Sequence, residues 1–83
     1  IVEALRKAGA TVQSLAACGD GVPDILCGYQ LRTVLLEIKD GSKPPSAREL
    51  TPDQVEWHLN WRGGPCMVVS SVEEALAAIG VEI

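Results

Sequence analysis

The stretch that decides the fold is Pro23-Asp24-Ile25-Leu26-Cys27-Gly28-Tyr29-Gln30-Leu31-Arg32-Thr33-Val34-Leu35-Leu36-Glu37-Ile38-Lys39. Residues 24–28 and 33–39 are both rich in apolar and β-branched side chains, and a short polar stretch, Tyr29 to Arg32, separates them. Two such runs this close together predict a β-hairpin. Centring the turn on Gln30 and Leu31 places Gly28 opposite Thr33, Leu26 opposite Leu35 and Asp24 opposite Glu37. The other face then pairs Ile25 with Leu36 and Cys27 with Val34, an apolar layer. A slip of one residue would drive charges into that layer, so this register is favoured.

The same geometry gathers the chemistry. Directly opposed residues have Cβ atoms about 4.5–5.5 Å apart. Side chains alternate along a strand, so Glu37 and Lys39 share a face. Asp24, Glu37 and Lys39 therefore converge at one end of the hairpin. Taken singly, Asp24 reads as a turn residue after Pro23, and Glu37 and Lys39 as a solvated strand edge. Taken together these readings weaken, because opposed carboxylates repel and raise each other's pKa. A hard divalent cation removes that penalty and accepts carboxylate oxygens. An ammonium beside it can stabilise charge developing on a phosphate.

Outward from the hairpin, residues 1–9 read as a helix ending at Gly9, residues 11–17 as a strand, and Gly19-Asp20-Gly21 as a turn. Residues 40–50, with Gly41, Pro44 and Pro45, read as a loop without regular structure. Thr51-Pro52-Asp53-Gln54 is a capping box opening a helix to about Arg62, which Gly63-Gly64-Pro65 ends. Residues 66–70 read as a short buried strand, and Ser71-Val72-Glu73-Glu74 as a second capping box opening a helix to Ile79, with Gly80 as its stop. The expected order is α-β-β-β-α-β-α, one α/β domain over residues 1–83 with a mixed sheet flanked by helices on both faces.

Totals narrow the function classes. With 83 residues the chain suits a single small domain, either a whole protein or a piece of a longer one. No apolar run approaches the roughly 20 residues of a membrane helix, and no signal-peptide pattern opens the chain. Cys18, Cys27 and Cys66 are scattered with no CxxC pair, against a disulfide framework or zinc site, and read as small buried thiols of a reducing cytoplasm. The net charge of −4 counts against a purely electrostatic nucleic-acid binder. Five of the 7 basic residues (Arg32, Lys39, Lys43, Arg48 and Arg62) nevertheless lie in the middle of the chain.

Pro23-Asp24 followed by Glu37-Ile38-Lys39 resembles the PD-(D/E)xK nuclease signature. Gly21-Val22-Pro23-Asp24 with the later Leu50-Thr51-Pro52-Asp53-Gln54 is similar, more narrowly, to the virus-type replication-repair nuclease (VRR-NUC) family. The likeness runs from about Gly19 to Leu76. It implies a restriction-endonuclease-like core and a Mg2+-dependent endodeoxyribonuclease, with Mn2+ as a substitute. Asp24, Glu37 and the backbone carbonyl of Ile38 would be metal ligands. Lys39 would position the attacking water or contact the scissile phosphate, and Gln54 would complete the site. Glu3 and Asp20 are further acidic candidates, and Lys43, Arg48 and Arg62 candidate DNA contacts. The resemblance also implies branched DNA as substrate, a homodimer, and the cytoplasm of a bacterial or phage-infected cell. A nuclease module acting on flaps or linear duplex, and a non-catalytic DNA-binding module, stay open beside it.

Gln54 already has a structural role as a cap. His58, the sole histidine, reads as a surface or DNA-contacting residue with no nucleophile to pair with. Trp57 and Trp61 share a helix face and read as packing against the sheet or a partner, with base stacking the sharper alternative.

Overall fold

The computed structural model describes residues 1–82, so Ile83, the last residue of the expected domain, lies outside it. In chain order the elements are α1 (Val2–Lys7), β1 (Thr11–Ser14), β2 (Ile25–Tyr29), β3 (Arg32–Ile38), a 3-10 turn (Pro45–Arg48), α2 (Pro52–Asn60), β4 (Cys66–Val69) and α3 (Val72–Ile79). The 3-10 turn corrects the reading of residues 40–50 as wholly irregular. Pro45 opens it, and a proline is tolerated in a first turn because its missing N–H has no partner to lose there.

The hairpin has the expected register, Ile25 with Leu36, Leu26 with Leu35, Cys27 with Val34, Gly28 with Thr33 and Tyr29 with Arg32. Its connection is two residues long, Gln30 and Leu31, both left-handed at φ 47° and 65°. Positive φ at both positions matches the right-handed twist of the flanking strands. β1 adds antiparallel to β2, and β4 adds parallel to β3, giving a four-stranded sheet in the order β1-β2-β3-β4. The unit β3–α2–β4 is thus a parallel crossover.

One face of this sheet makes the core. Ile25 and Cys27 of β2, Val34 and Leu36 of β3 and Val69 of β4 cluster with Leu5 of α1, Ala10, and Ala75 and Ile79 of α3. Leu5, Leu36 and Ile79 are almost wholly enclosed, and burying each contributes about 1.5–3 kcal/mol. α3 is held at both ends. Its Ser71 hydroxyl accepts from the Glu74 amide at 3.1 Å, and Gly80 closes it in the left-handed region at φ 98°. The Glu74 carboxylate accepts from the Ser70 amide at 2.8 Å rather than from Ser71, so the expected second capping box is only half formed.

α2 covers the opposite face loosely, and no residue of α2 is buried. Its capping box is complete: the Thr51 hydroxyl accepts from the Gln54 amide, and the Gln54 carbonyl oxygen accepts from the Thr51 amide at 2.9 Å. Among the described residues, no helix is long and apolar enough to cross a membrane.

Candidate active site

The alternation of β3 sends Val34 and Leu36 into the core and Leu35 and Glu37 to the face beneath α2. Glu37 is 2% exposed and is the one buried charged residue among those described. Its Oε1 has no hydrogen-bond partner. A carboxylate enclosed this way costs free energy unless something compensates it.

Asp24 stands just before β2 and reaches across to β3, its Oδ2 accepting a hydrogen bond from the Ile38 amide at 2.7 Å. The backbone explains why a side chain does this. The Leu15 amide donates to the Asp24 carbonyl at 2.8 Å, so the Asp24 peptide faces β1. Residues on either side, Pro23 and Ile25, therefore face β3, since an antiparallel strand alternates its partners. Continuing the Ile25–Leu36 register by two residues puts Pro23 opposite Ile38. Pro23 has no N–H to give, so the ladder leaves the Ile38 carbonyl without its β2 donor. The Ile38 amide is taken by the carboxylate instead. Pro23 itself is fully buried, which locks this end of the strand in place.

Electrostatics follow from the crowding. Burial, above all, pushes the Glu37 carboxyl up from 4.5 to about 7; the neighbouring Asp24 carboxylate adds to the rise, and Lys39 partly opposes it. The Lys39 ammonium lies 3.8 Å from Glu37 Oε2 and donates to Gln54 Oε1 at 2.8 Å. Gln54 Oε1 therefore serves both the helix cap and Lys39. The cap reading of Gln54 is thus met, and the same oxygen that closes the cap also accepts from Lys39.

The structure thus brings together Asp24, Glu37, Ile38, Lys39 and Gln54. It leaves the other candidates apart. Glu3 is exposed on α1, which packs on α3 and β1, and shares no hydrogen bond or ion pair with these residues. Asp20 is an exposed left-handed turn residue at φ 54°, facing α2. Lys43 is exposed, Arg48 is half-buried with no partner for its Nε, and an Arg62 guanidinium N–H donates to the Leu59 carbonyl at 3.0 Å.

Some expectations are corrected. His58 is half-buried, with its Nδ1 3.6 Å from Cys66 Sγ and its Nε2 enclosed without a partner, so it is not a surface histidine. Burial, then the nearby Lys39 charge, lowers its pKa. Burial and the Glu37 charge raise that of the Cys66 thiol. The pair flanks the site because β4 runs beside β3, which the β3–α2–β4 crossover order signals. Cys18 is exposed, so the thiols are not uniformly buried. The role of Pro23 was also invisible without the ladder, although a proline before a strand is the signal for it.

The chemistry of the donor set suits a hard cation. Two carboxylates held together, one with an unpartnered buried oxygen, and a carbonyl freed by proline could hold a divalent ion that keeps several waters. Among the described residues no group of three or more His, Cys, Asp or Glu side chains is placed to hold a metal ion, so such an ion would draw its remaining ligands from the backbone and solvent. No family model, curated protein or solved structure matches the chain.

Proposed function

We propose that the chain is a Mg2+-dependent endodeoxyribonuclease on a restriction-endonuclease-like core, with Mn2+ able to substitute. The observation that carries this reading is the buried Glu37, its Oε1 unpartnered, pressed against Asp24 and followed two residues later by Lys39. A protein stabilised for its own sake gains nothing from that arrangement. Asp24, Glu37 and the Ile38 carbonyl would hold the cation, which when bound would supply charge neutralisation at a phosphoryl oxygen.

The remaining work falls to the chain. Gln54 fixes the Lys39 ammonium from the start of α2, which keeps a positive charge beside Glu37. Lys39 would position the attacking water or contact the scissile phosphate. The reaction is direct hydrolysis, with no covalent enzyme intermediate. Branched DNA as substrate and a homodimer as the working unit rest on the resemblance of Gly21-Val22-Pro23-Asp24 and Glu37-Ile38-Lys39 to the VRR-NUC family.

The test is cleavage of end-labelled four-way junction, flap and linear duplex with Mg2+, Mn2+ or EDTA. Cleavage that requires metal and is lost in Asp24→Asn and Lys39→Ala supports the reading. Full activity in either variant sinks it. A non-catalytic DNA-binding module is the second reading, favoured by the lack, among the described residues, of a third acidic side chain at the site. Calorimetry separates the two, because a binding module takes up no Mg2+ at Asp24 and Glu37.

A further inference from the structure

α2 presents a second feature, away from the carboxylate pair. Trp57 on α2 and Trp61, the extended residue that follows its last turn, stack with ring centroids 5.0 Å apart and planes 16° from parallel. The Trp61 indole N–H donates to the Gly64 carbonyl at 2.7 Å. Gly63 sits so close to the Trp61 ring that any side chain there would overlap it. The aromatic pair is therefore set before any ligand arrives.

Opposite α2 stands the turn Gly19-Asp20-Gly21. Gly21 is left-handed at φ 82°, and its backbone abuts the Asp53 carbonyl where no Cβ would fit. That close approach brings Asp20 up to the first turn of α2. Between the two lies a cavity of about 530 Å³, lined by Asp20, Asp53, Glu56, Trp57, Asn60 and Trp61. Among the described residues the sole ion pair is Lys39–Glu37, so none of the three lining carboxylates is paired with a cation of the chain.

Sign of charge decides between ligands. The tryptophans alone would suit a nucleobase. A nucleotide would bring its phosphate toward Asp20, Asp53 and Glu56 with no basic residue in the lining to receive it. Indole faces attract cations within about 6 Å, and aromatic walls with acidic neighbours recognise ammonium groups. A bare metal ion would leave the tryptophans unused. We propose that this cavity binds an organic cation of the alkylammonium class, its hydrocarbon against Trp57 and Trp61 and its charge among Asp20, Asp53 and Glu56. This inference does not depend on the nuclease reading.

The experiment is titration of the intact chain, followed by tryptophan fluorescence and by two-dimensional NMR. The probes are choline, spermidine and N-acetyl-lysine methylamide, with the uncharged choline isostere 3,3-dimethylbutan-1-ol as control. Saturable binding of at least one cation, with indole signals of Trp57 and Trp61 shifting and the isostere inert, is the expected result. Tightest binding by spermidine marks a free polyamine, by choline a quaternary ammonium, and by the lysine derivative a basic side chain of a protein; each supports the class. Binding of the isostere as strong as that of choline, or no saturation by any cation, overturns it. The double variant Asp53→Asn with Glu56→Gln keeps α2 and the Trp57–Trp61 pair, and should weaken binding roughly tenfold at low salt. Unchanged affinity in that variant overturns the proposal as well.

Discussion

The Ile38 amide donates to the Asp24 carboxylate at 2.7 Å, at the position where the hairpin ladder would otherwise continue through Pro23. Two neighbours thus share this position: Asp24 takes the Ile38 amide, and Pro23 withholds an N–H from the Ile38 carbonyl. Pro23→Ala should return that N–H and let the ladder close over the carbonyl. Loss of ring burial costs about 1 kcal/mol of stability. The larger effect is expected in Mn2+ affinity, weakened about tenfold with the fold intact. Calorimetry with matched thermal melts checks this, and an unchanged affinity would show that the Ile38 carbonyl is not a ligand.

Glu37 makes the metal-free protein sensitive to pH. Its carboxyl titrates at about 7 in the folded chain against 4.5 as its ordinary value. Between those limits the folded state holds a proton that the unfolded state has lost, so stability falls as pH rises, and levels off outside them. The loss is at most about 3 kcal/mol from one end of the window to the other. Urea melts in EDTA at pH 5 and pH 8 should show it. Glu37→Gln should flatten the profile and be the more stable protein at pH 8. Saturating Mg2+ should restore wild-type stability at pH 8, by about 2.7 kcal/mol at a hundred times Kd. A flat wild-type profile would mean that Glu37 is compensated in some other way.

The hairpin was legible in the sequence because one face of it is buried. Ile25, Cys27, Val34 and Leu36 tolerate a single register, and that register alone carries Asp24 to Glu37. Thr51 and Gln54 were legible because a capping box is local. What escaped depends on contacts distant in sequence. The approach of His58 to Cys66 needs β4 to lie parallel to β3, and the approach of Asp20 to Asp53 needs the Gly21 backbone to touch α2. The 3-10 turn at Pro45–Arg48 escaped because a stretch of four residues is too short to show a helical period.

Lys39 and Gln54 are coupled through one oxygen. Gln54→Ala removes both the acceptor for Lys39 and half of the cap, costing about 1 kcal/mol. Gln54→Glu keeps an acceptor for the Thr51 amide and places a full negative charge on Lys39, drawing it from Glu37 and from any phosphate. The alanine variant should therefore lose stability, while the glutamate variant melts close to wild type and still loses at least tenfold in cleavage rate. Melting curves beside junction cleavage distinguish the two effects. Wild-type cleavage by Gln54→Glu would reduce Gln54 to a cap alone.

The hairpin turn carries strain that bears on neither site. Gln30 and Leu31 both hold positive φ, and Leu31 is fully exposed. For side chains with a Cβ this region costs about 1–2 kcal/mol per residue, and no buried contact of Leu31 offsets it. Asn-Gly is the pair that favours this turn. Gln30→Asn with Leu31→Gly should raise stability by about 1 kcal/mol, since the glycine gives back some of the gain by loosening the unfolded chain. The register beyond the turn is set by the buried face, so metal affinity and cleavage should stay at wild-type values. Guanidinium unfolding midpoints measure the gain. A loss of stability would show that Gln30 and Leu31 hold this turn by contacts that Asn and Gly cannot replace.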